Sequence, residues 1–169
     1  MKKISFFSLT FIAAIVCKIF AADLTTNEWG SVACDAQISV QLRGSGEEIK
    51  TNQPIELAIR IKNVSTNETL HVFQSLAVVV DSYVNFSYVV ISPSGKDISP
   101  KHAKVWNGGS AADYFIAPGQ SKEFGCNLGY VCKFEEIGTY EVFVKKRFSI
   151  DVNDKCEITS SPLYIKISK

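Results

Sequence analysis

Apolar residues recur with a period of two along most of the chain, the signature of strands with one buried and one wet face. Residues 36–42 place Ile38, Val40 and Leu42 on one side, and residues 54–62 do the same with Ile55, Leu57, Ile59 and Ile61. Half-buried strands of this kind belong to antiparallel sheets. Residues 63–68, Asn-Val-Ser-Thr-Asn-Glu, are dense in turn formers and read as a connection. Residues 69–80 are more continuously apolar and read as a central strand or pair. Residues 85–91 alternate less strictly. Ser92-Pro-Ser-Gly-Lys-Asp97 then predicts a tight turn, in which proline presets one backbone angle and glycine accepts a positive one. An irregular stretch over 98–110 leads to a short strand at 114–116. Pro118-Gly119 turns the chain into a strand over 121–127. Residues 138–145 form a strong strand with Tyr140, Val142 and Val144 on one face, extendable to Ile150. Residues 151–161 read as a polar connection, and 163–167 as the closing strand.

About eight strands result, with turn signals between them. No amphipathic helix of ten residues emerges, although a helical turn fits within 128–136. Without crossover helices the strands are expected to pair antiparallel, giving an all-β, immunoglobulin-like sandwich, with a closed barrel as the alternative. The expected organisation is a signal peptide over 1–21, a loosely ordered mature start over 22–35 and one domain over 36–169.

The start of the chain carries the export reading. Lys2 and Lys3 precede the uncharged run from Ile4 to Cys17, and Ala21-Ala22 offers small residues for cleavage. A bilayer-spanning helix needs about 20 apolar residues, and this run is shorter. A cleaved signal is therefore expected over an anchor, with a secreted or periplasmic product and no membrane span after its removal. Lys+Arg is 18 and Asp+Glu is 17, a net charge of +1. The first 21 residues contain Lys2, Lys3 and Lys18 and no acid, so the remainder carries three fewer positive charges, −2. That balance provides no electrostatic footprint for nucleic acid.

Cys17 falls within the signal, and Cys34, Cys126, Cys132 and Cys156 remain. An even number in an exported chain favours disulfides, with three possible connectivities. Cys126 and Cys132 are close in sequence around a glycine, and Cys34 and Cys156 lie near the two ends. The pairing favoured is 126–132 and 34–156. The six-residue step and the absence of a nearby histidine argue against a zinc knuckle. No metal or cofactor is expected.

Reactive constellations are missing. The chain has no Gly-x-Ser-x-Gly, no His-Glu-x-x-His and no phosphate-cradling glycine loop. His71 sits in an apolar strand and reads as a hydrogen-bonded or rim histidine. Lys145-Lys-Arg147 reads as a solvated strand end. Trp106, Tyr114 and Phe115 flank Gly108-Gly109 and form the candidate binding loop. Asn63-Val-Ser65, Asn67-Glu-Thr69 and Asn85-Phe-Ser87 match the glycosylation triplet.

One larger pattern resembles known domains. An apolar strand ending in Asn63 is followed by a polar turn, and residues 86–96 add a strand and turn. Tyr114-Phe-Ile-Ala-Pro118-Gly119-Gln120 comes next, then Leu128 and Phe134, then Gly138-Thr-Tyr140. Over roughly 36–168 this resembles the N-terminal β-sandwich domain of deuterolysin-like and peptidyl-Lys metalloendopeptidases, and is similar to BsuPI-type proteinase inhibitor domains. The zinc-binding catalytic domain of the former has no counterpart here. The resemblance implies fold markers: Pro118 and Gly119 for a turn, Gly138 for another, and a Tyr140 hydroxyl bonded back to the backbone. The expected function is non-enzymatic binding of a protein or cell-surface partner through loops, with peptidase inhibition as the alternative.

Overall fold

The computed structural model describes residues 29–44, 48–51, 53–75, 86–100, 111–149 and 155–169. These residues form an all-β sandwich of ten strands with one 3₁₀ turn. One sheet runs β1–β3–β7, with β1 (Ala36–Leu42), β3 (Glu56–Asn63) and β7 (Ser121–Asn127) antiparallel to their neighbours. The other runs β2–β10–β8–β5, with β2 (Glu48–Lys50), β5 (Phe86–Ile91), β8 (Gly138–Ser149) and β10 (Leu163–Ser168). β9 (Lys155–Thr159) pairs with the far end of β8. β4 (Leu70–Ser75) and β6 (Ala111–Ile116) make a separate two-stranded ribbon.

The alternating side chains meet between the sheets. Ile38 pairs with Ile61 and Val40 with Ile59 in register, and all four are buried. Tyr140 pairs with Ile165 and Val142 with Val90 on the facing sheet, also buried. Each such aliphatic contributes on the order of 2 kcal/mol through burial.

Two elements depart from the sequence pattern. β9 occupies part of the expected polar connection; its inward residue Ile158 is 1% exposed, but a single buried isoleucine among polar neighbours is too short a run to register as a strand. β2 pairs with β10 in parallel, against the expectation of wholly antiparallel pairing. The two strands lie far apart in sequence, so intervening sheet strands carry the chain between them and no crossover helix is needed.

Residues 29–33, within the stretch expected to be loose, are bound to β1 and to the link between β9 and β10. The Gly30 N–H donates to Ile38 O at 2.8 Å, and Gln37 Nε2 donates to Gly30 O at 3.0 Å. Ser161 Oγ donates to Trp29 O. A Cβ on Gly30 would lie 1.8 Å from Thr159 O, so only glycine allows this approach. Ala33 and Ala36 then exchange both backbone hydrogen bonds. Cys34 and Asp35 between them have φ of 51° and 52°, a two-residue turn in the left-handed region that glycine and asparagine usually occupy. From this turn Cys34 forms its disulfide with Cys156, Cα to Cα 6.2 Å.

The expected second bridge is not formed: Cys126 and Cys132 are thiols. Backbone bonds, not sulfur, close the bend between them. Leu128 N–H donates to Ile55 O, and both Val131 and Cys132 N–H donate to Leu128 O. The Cys126 sulfur accepts the Tyr88 hydroxyl at 2.9 Å. Burial pushes the Cys132 thiol up to about 12.

The fold markers cluster at turns. The Tyr140 hydroxyl donates to Glu136 O at 2.9 Å and accepts from Glu136 N–H at 2.8 Å. Gly138 has φ of +133°, and a Cβ there would meet Pro93 at 2.9 Å. Gly119, φ +73°, follows Pro118 and donates its N–H to Asn63 O.

The sequence reading of the basic triple as a solvated strand end fails at its middle residue. Lys145 and Arg147 pair with Glu157, while Lys146 points inward and is 1% exposed. Its Nζ donates to Phe73 O at 2.7 Å and lies 5.5 Å from the Phe86 ring centroid. Burial lowers its pKa from 10.5 to about 8. The unfolded chain therefore holds this proton over pH 8–10.5 while the native state releases it, and stability from this group rises across that window. The span amounts to on the order of 3 kcal/mol. The buried thiols work the other way above pH 9. The Lys146 share is thus read as the difference between wild type and Lys146→Met in urea titrations at pH 8 and pH 10. We expect the wild type to gain on the variant; a constant difference would show that the ammonium is not desolvated.

Candidate functional site

The β4–β6 ribbon presents an outward face built by strand alternation. His71 pairs in register with Phe115, and Phe73 with Asp113. Residues two apart share a face, so His71, Phe73, Asp113 and Phe115 lie together. Phe115 is 71% exposed, and its ring stacks on that of His71, with centroids 4.9 Å apart and planes 13° apart. His71 Nε2 and Asp113 Oδ1 share a hydrogen bond of 2.5 Å, with both side chains about half exposed. The stack and this bond orient a large apolar ring at the surface.

The other residues of the expected binding loop divide. Tyr114 points inward, edge-on to Phe124 at 5.2 Å, with Lys122 Nζ over its ring. Inward Val72 and Ile116 flank it and are buried. Tyr114 is thus an anchor and Phe115 the presented group. Trp106 lies outside the described residues. His71 is a hydrogen-bonded rim histidine, as its setting suggested. Asp113 escaped notice in the sequence, because its role depends on a strand pairing across 42 residues.

A cleft of about 520 Å³ opens at the end of the sandwich near Gly129. Its floor includes buried Ile55, Ile167 and Cys132, and Lys50, Lys133 and Tyr130 stand at its rim. The amides that line it are engaged locally: Asn127 Oδ1 accepts from Gly129 N–H, and Gln53 Oε1 accepts from Lys50 N–H. Among the described residues no group of three or more His, Cys, Asp or Glu side chains is placed to hold a metal ion.

No protein-family model matches the chain, and no curated protein sequence does. Solved structures are similar in fold. The C-terminal domain of wzt superimposes with a TM-score of 0.50 at 10% identity, over 83% of this chain and 77% of that one. A β-glucosidase from Listeria innocua in complex with isofagomine gives 0.41 at 10% identity, and the chain spans only 16% of that enzyme. The first of these likenesses speaks to the sandwich architecture alone. The disulfide suits an oxidising compartment, and no helix among the described residues is long and apolar enough to cross a membrane.

Proposed function

We propose that this protein is an exported, non-enzymatic immunoglobulin-like domain that docks a protein partner through the outer face of the β4–β6 ribbon. The observation that supports it is Phe115: a phenyl ring 71% exposed, held flat against His71 on a regular strand. Rigid aromatic side chains at a surface are favoured interface anchors, because they bring area with little conformational entropy to lose. The reading as a peptidase-inhibitor domain rests on turn residues alone.

The test compares affinity capture from the source organism's envelope extract by wild type, Phe115→Ser and Tyr130→Ala, the last altering the cleft instead. Phe115 is exposed, so its replacement is expected to change stability by no more than about 0.5 kcal/mol. The expected result is a partner retained by wild type and Tyr130→Ala and reduced at least about tenfold with Phe115→Ser, as for an interface hot spot. Equal recovery by all three would remove the docking reading. Inhibition of any member of a serine, cysteine and metallopeptidase panel would replace it with the inhibitor reading.

A further inference from the structure

We propose that the ribbon face recognises an arginine side chain of its protein partner, the guanidinium stacking on the open side of Phe115 and pairing with the Asp113 carboxylate. The inference rests on the docking reading above and adds the chemistry of the residue recognised. One side of the Phe115 ring is taken by His71, and the 71% exposure of the residue leaves the other side to solvent. Asp113 lies two residues away on the same strand face, and its side chain is 53% exposed. His71 engages Oδ1 of this carboxylate. Among the described residues no lysine or arginine nitrogen comes within 4.0 Å of it. Lys122, the basic side chain packed on β6, lies over Tyr114, which faces the other way. The patch therefore offers a flat π-surface beside an anionic acceptor. A planar, always-charged donor fork lies flat on the ring and pairs bidentately with the carboxylate at once, whereas an ammonium has the charge for both but neither the plane nor the fork, and a neutral urea has the plane without the charge.

The probe is a capped Gly-Arg-Gly peptide titrated into the full protein, with the lysine and citrulline peptides as comparators, followed by NMR of the His71 and Phe115 rings. The arginine peptide is expected to shift these signals saturably, binding about threefold more tightly than lysine, with citrulline causing no saturable shift. Asp113→Asn should abolish the difference between arginine and citrulline. Equal shifts from arginine and citrulline, or shifts confined to other surfaces, would overturn the arginine reading. Affinity capture separates the two readings. A partner lost with Phe115→Ser and kept with Asp113→Asn leaves docking standing and removes arginine recognition. A partner kept by both removes the docking site itself. Urea midpoints of both variants within error of wild type establish that the losses are not unfolding.

Discussion

Replacing the Cys34–Cys156 bridge by Cys34→Ser/Cys156→Ser will lower the unfolding free energy by about 5 kcal/mol. The two cysteines are 122 residues apart. On the chain-entropy model a loop of that size restricts the unfolded ensemble by about that amount. Domains of this size have only about 5–15 kcal/mol in total, so the variant should be largely unfolded in mild urea where the wild type is native. The bridge also holds the Cys34-Asp35 turn, whose residues both sit at positive φ. Without it nothing covalent keeps residues 29–33 wedged against Thr159. Cys132→Ala provides the contrast: it removes one buried sulfur and opens no loop, and should lose on the order of 1 kcal/mol. Urea unfolding followed by far-ultraviolet circular dichroism measures both. A loss under about 1 kcal/mol in the double variant would mean that the unfolded chain is already held compact by other contacts.

The strands with strict alternation were legible because burial imposes it. The apolar residues of the sequence pattern occupy inward positions of β1, β3 and the first half of β8, and all of them except half-buried Leu42 are buried, while Asn63 continues the inward face of β3 as a buried amide. Tyr140 was legible through the resemblance, whose Gly-x-Tyr close implies a hydroxyl bonded back to the backbone, and that hydroxyl does bond to Glu136. Pairing between distant strands left no such trace. β2 is three residues long and exists only because β10 lies beside it. The wedge at Gly30 is written as a single glycine, with nothing nearby to announce that Thr159 O would fill the space of a Cβ. Lys146 reads as one more charge in a basic triple, but strand alternation turns it inward between Lys145 and Arg147. The candidate site was half legible. Phe115 was singled out as an aromatic beside a loop, but the choice between Tyr114 and Phe115 depends on which face of β6 packs on Phe124, and the contribution of His71 and Asp113 depends on the β4–β6 register.

Asn63→Ala will cost about 3 kcal/mol, because an amide that joins three backbone segments is lost from a site with no exposure. Its Nδ2 donates to Glu68 O at 2.7 Å and to Ile116 O at 2.8 Å, and its Oδ1 accepts from Ser65 N–H at 2.9 Å. Both amide protons are therefore used, which also closes the Asn63-Val-Ser65 triplet to glycosylation in the folded chain. Alanine leaves two carbonyls and one N–H without these partners, each worth about 1–3 kcal/mol where water cannot reach. Asn63→Asp distinguishes this account from loss of volume. The carboxylate has the shape of the amide but no proton to give, and it faces two carbonyl oxygens. Its folded-state pKa is then raised, so the stability it retains is present in acid and lost as pH rises above about 4. The Asp variant should approach wild type in urea titrations as pH is lowered, whereas Asn63→Ala should stay uniformly below it. A pH-independent deficit in both would assign the effect to packing. Ile116 is the neighbour of Phe115 on β6, so the bond to Ile116 O anchors the ribbon to the sandwich. Breaking it should displace the His71–Phe115 stack along with the turn, and the two ring signals report that displacement while the chain is still folded.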